Sequence, residues 1–431
     1  NMGLRWDYEK TPSYQDYVVD PALVAALQGW SNIANTDYQV RDYISTGGNR
    51  SAFKGAIQPR VGFSYDLGGD QRHVIFGGAG RAYDRNLFDL TAREYYAGAF
   101  TSYDINFNTA LHPCVATASN CQPFDPALLT QAGIDAYLAA NPRLGGEVTL
   151  LNNELKTPYS DQFSLGMRNA VNVRGVDWNT SVTLSHIRSR DGIYFRLGNR
   201  WPGGNFHENP DATWGGQPWG QAIPGYASLI LGDNGIEYNL NSLLVSLDKP
   251  FSEQSRWGFN LAYTYSDADE NRTNASNGES YYFDGARVTG RSYLSTGVPR
   301  HRLVLSGMYD LGWETLISGK LVLASQTPRD ATNCNDAVSS SFCFYDPYEP
   351  EGSIGFKQFD AALEKRWNTG TDLQLKVRAD LLNVFNWRNW NQFEGWRGAA
   401  GEPRNAAFGR RNGDEILLPT RTFKLSFGLD W

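Results

Sequence analysis

The residues best suited to ligand chemistry are clustered tryptophans and arginines, not acid–base pairs. Trp201, Trp214 and Trp219 lie among Gly and Pro in one stretch, Trp201–Gly220. Indole rings lose little entropy when they stack on a sugar or a peptide. The alternative is that they pack on one another, because a large loop needs a core of its own. Trp387, Trp390 and Trp396, with Arg388 and Arg397, form a second cluster. There ligand contact competes with a membrane-surface position, which is the reading favoured for Trp387. Asp267-Ala268-Asp269-Glu270-Asn271 spaces oxygen side chains as a calcium loop can. The EF-hand glycine is replaced by Arg272 and no Glu stands at the twelfth position, so a solvated acidic loop is the preferred reading. The five histidines, at 73, 112, 186, 207 and 301, are scattered. No nucleophile, base and orienter are brought together, so no catalytic residue, metal or cofactor is assigned. Gly77-Gly78-Ala79-Gly80 is no phosphate loop, since a strand and not a helix follows.

The cysteines form two local pairs, Cys114 with Cys121 and Cys334 with Cys343. Neither has a Cys-x-x-Cys metal or redox spacing. Two short polar segments with two cysteines each suggest disulfides in an oxidising compartment; four free thiols are the alternative.

The elements that must hold these groups are strands. The terminal segment alternates Phe423, Leu425, Phe427, Leu429 and Trp431 with Thr422, Lys424, Ser426, Gly428 and Asp430. Period two gives one apolar and one polar face. Leu373, Leu375, Val377, Ala379 and Leu381 likewise oppose Asp372, Gln374, Lys376, Arg378 and Asp380. Charges at that density could not share a dry core without matched partners. Apolar side chains toward lipid and polar ones toward a wet lumen remove the conflict. Arg302, Lys320, Lys376, Arg378 and Asp380 are therefore expected to face the lumen.

Twelve strands are expected: Met2–Tyr8, Gly55–Asp66, Arg72–Asp84, Lys156–Asn169, Val176–Arg188, Ile236–Lys249, Arg256–Asp267, Arg300–Asp310, Glu314–Ser325, Phe356–Trp367, Asp372–Phe385 and Thr420–Trp431. Five hairpin turns are short and rich in Gly, Asn, Asp or Pro. The segments between hairpins are long, from Arg85–Leu155 to Asn386–Pro419. Long loops on one side and short turns on the other describe an antiparallel outer-membrane β-barrel, with extracellular loops and periplasmic turns. Both cysteine pairs fall in the long set. Pro21–Trp30 and Asp125–Asn141 are expected to be helical.

Composition agrees. Mean hydropathy is -0.47. No run reaches the ~18 apolar residues of a membrane helix, but a barrel strand needs only about 9–11, half of them polar. Aromatic residues make up 13% of the 431, which suits girdles at the two membrane surfaces. A net charge of -7 argues against nucleic acid as a partner.

Several stretches, in order, resemble the barrel of TonB-dependent outer-membrane receptors, especially the Oar-like group. They are Gly3-Leu4-Arg5-Trp6-Asp7-Tyr8, Pro59-Arg60-Val61-Gly62-Phe63-Ser64-Tyr65, and Gly77-Gly78-Ala79-Gly80-Arg81-Ala82-Tyr83-Asp84. Thr157-Pro158-Tyr159-Ser160-Asp161-Gln162-Phe163, Pro299-Arg300-His301-Arg302, Asp380-Leu381-Leu382-Asn383-Val384-Phe385-Asn386 and the final Phe-x-Leu-x-Phe-x-Leu-x-Trp complete the set. The resemblance implies a 22-stranded barrel in the bacterial outer membrane, closed by an N-terminal plug on which the energised TonB protein pulls. It implies capture of a scarce small molecule, glycan or peptide by the loops. It also implies that Phe423 to Trp431 is the signal read by the barrel assembly machinery. With no plug, no TonB box and about half the strands, residues 1–431 are expected to be the C-terminal part of such a barrel. A passive channel of twelve strands and an outer-membrane hydrolase are the alternatives.

Overall fold

The structure is a computed structural model. It describes residues 1–85, 88–96, 106–109, 121–140, 146–205, 220–252, 255–271, 281–282, 293–334, 344–368, 370, 373–399, 401–418 and 420–430. Twelve antiparallel strands follow one another across a single sheet in chain order. They are β1 Met2–Asp7, β2 Ala56–Asp66, β3 His73–Tyr83, β4 Tyr159–Val173, β5 Val176–Leu197 and β6 Leu229–Lys249, then β7 Trp257–Glu270, β8 His301–Gly312, β9 Thr315–Ser325, β10 Ile354–Asn368, β11 Gln374–Leu382 and β12 Thr422–Asp430. Among the described residues β1 and β12 do not pair, so the sheet is an open barrel wall.

The side-chain alternation appears as expected. Leu4, Phe63, Leu184 and Phe427 all stand on one face and are 73%, 54%, 58% and 72% exposed, as lipid-facing residues are without lipid. Register locks this face. A one-residue slip would turn every leucine to the polar side. Leu165, Leu184 and Leu243 form one cross-strand row, with Tyr265 beside them.

The turns explain the hairpins. Arg174 and Gly175 have φ of 55° and 79°, the two left-handed residues of a type I′ turn between β4 and β5. Trp313 and Glu314 do the same between β8 and β9 at 48° and 56°. Neither of them is glycine, so this turn holds strain that only its neighbours offset. The Arg366 N–H donates to the Glu314 carbonyl at 3.0 Å, and the Lys365 ammonium donates to the Trp313 carbonyl.

Four elements differ from expectation. β5 and β6 run nine and seven residues beyond the expected Arg188 and Ile236, to Leu197 and from Leu229. A bulge between Ser189 and Gly192, with Asp191 at φ 58°, marks the change. Above it, residues 194–197 are buried on both faces. The extension was invisible as alternation because both faces are covered. The expected Asp125–Asn141 helix is a 3₁₀ turn, Pro126–Leu129, then a helix, Gln131–Ala140. The acidic run Asp267–Glu270 completes β7 and is not a loop; it pairs with residues 238–241. The Pro21–Gly29 helix is as expected, capped by Asp20 accepting from the Ala22 N–H at 2.7 Å.

Candidate functional site

The polar face of the wall gathers charge. Lys376, Arg378 and Asp380 on β11 stand two residues apart beside Glu364 and Arg366 of β10. Glu364 is the hub. Its carboxylate meets Arg366 at 2.8 Å, Lys376 at 3.3 Å and Arg378 at 3.4 Å, and Arg378 also meets Asp380 at 2.9 Å. Glu364 was not singled out from the sequence. It sits at period two with Asp360 and Ala362, opposite Leu363, so the rule that selected Lys376 would have selected it. Lys320 lies across from Asp360, and the row continues through Ser306, Asn260 and Asp248. Asp248, Lys320, Asp360, Arg378 and Asp380 line a hollow of about 430 Å³. Arg302 is on the same face but four residues toward the loop end of its strand, opposite Ala324, and does not join this cluster.

On the loop side the chain builds a folded lobe. Residues 9–54 lie against the β5 and β6 extensions, with Val148–Leu151 added as a parallel strand beside β6. Leu27, Leu150, Ile223, Leu229 and Leu231 are at most 1% exposed. Burying each such side chain is worth ~1.5–3 kcal/mol. A second cluster joins Tyr14, Leu151, Phe195, Leu197 and Ile230.

Buried charge pins the lobe. The Arg50 and Glu94 side chains are 0% exposed. Arg50 Nη1 and Nη2 donate to the two Glu94 oxygens at 2.6 and 2.9 Å. The remaining N–H groups donate to the Tyr14 carbonyl, the Leu151 carbonyl and Asn153 Oδ1. All five guanidinium donors are thus used. Arg196 meets Asp37 at 3.0 Å and Asp233 at 3.5 Å, while Arg200 meets Asp37 at 2.8 Å. Burial alone would raise the Asp37 carboxyl, but Arg200 and Arg196 outweigh it and hold it below the ordinary range. Burial pushes the Tyr14 and Tyr17 hydroxyls up to about 12.

The tryptophans are divided. Trp201 is half-buried in this lobe, and its indole N–H has no hydrogen-bond partner among the described residues. Trp214 and Trp219 lie outside the described residues. Trp390 is half-buried with Arg411 over its ring at 4.0 Å and Arg388 at 5.7 Å. Trp396 stays 39% exposed and lies beside Thr332. Around them Arg329 stacks over Phe393 at 5.0 Å, and Arg397 and Arg404 stack over Phe408 at 5.0 and 4.8 Å. The sequence hinted at this arginine–aromatic layer through Arg388 and Arg397. It could not place Arg329, which comes from a different loop. Cys121 and Cys334 are disulfide-bonded, while Cys114 and Cys343 lie outside the described residues.

Residues 1–322 match the family described as outer membrane beta barrel domain. The chain belongs to this outer membrane β-barrel family. Among solved structures it is similar to the outer membrane transporter YddB from Escherichia coli, with a TM-score of 0.51 and 13% identity over 89% of this chain. The chain spans 41% of the length of that transporter. The ferripyoverdine receptor of the outer membrane of Pseudomonas aeruginosa matches with a TM-score of 0.42 and 12% identity, over 88% of this chain and 33% of that one. No curated protein matches the chain.

In an outer-membrane barrel the aromatic rows are membrane girdles. At the turn end Trp178 packs edge-on to Trp257 at 5.8 Å, and Trp313 and Trp367 are exposed. At the loop end stand Trp6 with Tyr8, Tyr83 with Tyr159, Phe163 with His186, and Tyr263 with His301. Phe359, Phe385 and Trp387 continue that row, with centroids 5.4 and 4.9 Å apart. Trp178 and His186 are eight residues apart, roughly 26 Å along the strand. Tilted by ~35–45°, that covers roughly 20 Å along the membrane normal, most of the ~25 Å apolar band of an outer membrane. Phe423, Leu425, Phe427 and Leu429 face outward on the edge strand, 48–72% exposed; Trp431 lies outside the described residues.

Proposed function

We propose that residues 1–431 are the C-terminal part of the barrel of a TonB-dependent outer-membrane receptor, of 22 strands when complete, that captures a scarce ligand for energised import. The observation that carries this reading is the pairing of an open, charge-lined wall with a folded, pre-organised lobe at its loop end. An open edge on both β1 and β12 calls for further strands to satisfy their backbone groups in lipid. The likeness in fold to YddB, over less than half of that protein, supports the same view. In this reading Lys320, Lys376, Arg378 and Asp380 face a plug or the passing ligand, and Arg302 lies nearer the mouth. Trp201, Trp214, Trp219, Trp390 and Trp396 with the surrounding arginines meet the ligand: a small chelate, a glycan or a peptide. Phe423 to Trp431 is the strand read by the barrel assembly machinery. Cys114–Cys121 and Cys334–Cys343 staple two extracellular loops.

The test is growth of the bacterium with and without the intact gene on candidate scarce nutrients, each with TonB present and absent. A nutrient whose use needs both proteins supports the proposal. Uptake that persists without TonB would overturn it in favour of a passive channel.

A further inference from the structure

The outward face carries a groove that plain lipid contact does not require. It lies open across β2 to β7 with a volume of about 770 Å³. That is within the ~300–1,000 Å³ of ordinary small-molecule sites. Val61, Ala79, Phe163, Leu165, Leu184 and Leu243 form its apolar walls. Gly77 has no side chain on this face, and a Cβ there would meet Phe63 at 2.9 Å. The loop-ward end is polar. His186 Nδ1 and Asn241 Oδ1 are hydrogen-bonded at 2.8 Å.

One row higher, Arg81 holds Asp161 in a bidentate pair at 2.7 and 2.8 Å. Arg188 is opposite Asp161 in the register, yet that carboxylate is already engaged by Arg81. Arg188 is exposed and acts on Asp161 only at longer range, with no close ion pair among the described residues. An apolar trough in the outer-leaflet half of the band therefore ends beneath an exposed guanidinium whose N–H groups are free for a further anion. A guanidinium at this height complements an anionic headgroup.

We infer that the groove is a binding site for one outer-leaflet lipid with a net-negative phosphate headgroup, its acyl chain against Leu165, Leu184 and Leu243 and its phosphate on Arg188. The site is independent of the transport reading, because it uses only the membrane-facing side.

The test is native mass spectrometry of the intact protein in mild detergent, titrated with lipid A, phosphatidylglycerol or phosphatidylcholine. The expected result is a 1:1 adduct with the two anionic lipids, retained roughly fivefold better than phosphatidylcholine. Arg188→Gln should abolish that preference. Ala79→Trp, which fills the groove on a face that tolerates bulk, should reduce retention of all three. Equal retention of the three lipids by the unaltered protein overturns the inference. So does a preference that survives Arg188→Gln, retention untouched by Ala79→Trp, or a second copy of the protein bound in place of lipid.

Discussion

At the scale of single residues, two charged groups do more than their neighbours, for opposite reasons. Glu364 sits on the polar face of the wall, where three cations converge on one nearly buried carboxylate. Removing it leaves Arg366, Lys376 and Arg378 to repel one another. Glu364→Gln is expected to cost about 1–3 kcal/mol, read as a lower urea midpoint for unfolding of the folded barrel. Arg50 and Glu94 are dry. Breaking a pair of this kind leaves an uncompensated buried charge, so Glu94→Gln should destabilise the lobe by about 3–5 kcal/mol. Hydrogen exchange should then rise across residues 9–54 while β7 to β12 stay protected. Replacing both partners, as in Arg50→Met with Glu94→Leu, should be milder than either single change, since no charge is left stranded.

At the scale of elements, the lobe and the turns behave differently. The lobe is held by buried and half-buried tyrosines whose hydroxyls resist ionisation. Tyr14 and Tyr17 are raised to about 12 when folded, against ~10 when unfolded. Their contribution is fully present below pH 10 and is lost as the pH rises from 10 to 12. Alkaline titration should therefore release the lobe in that window, seen as tyrosinate absorbance rising with proteolytic cleavage in residues 9–54. Asp37 works at the other end. Its carboxyl is depressed, so its contribution is present above about pH 4 and lost as the pH falls through the lower folded value. The Trp313–Glu314 turn carries two non-glycine residues at positive φ. Glu314→Gly should stabilise the β8–β9 hairpin by about 0.5–1 kcal/mol, because relief of the left-handed strain outweighs the added freedom of the unfolded chain; a raised urea midpoint checks it.

At the scale of the whole molecule, the decisive feature is the unclosed wall. β1 and β12 each expose a row of backbone donors and acceptors, and a bilayer offers them no water. The 431-residue chain refolded by itself in detergent should thus associate through these edges into multimers of broad size, measured by light scattering. A single monomeric species with steady conductance in a planar bilayer would contradict this and favour a self-contained pore. Above the wall, the lobe and the arginine–aromatic layer are separate bodies of loop structure. Each draws on segments far apart in the chain, as Arg329 and Phe393 do.

The chain order of the strands, their outward and inward faces and the side on which the loops lie were determined by sequence alone. Alternation is a local property: Leu375 and Lys376 must point to opposite faces whatever surrounds them. The polar-face residues on β11 were legible for that reason, and Glu364 was within reach of the same rule. Only the tertiary structure decided which charges meet, that β5 and β6 continue past the bilayer, and that residues 9–54 become a core. Residues 229–232 are apolar on both faces and residues 194–197 are buried on both, Arg196 included, so neither stretch carries an alternation to read; their partners lie more than a hundred residues away, Leu23 and Leu27 for Leu229 and Leu231, Tyr14 for Phe195 and Leu197. Long-range burial depends on which distant segment arrives to exclude water, and no local pattern encodes that.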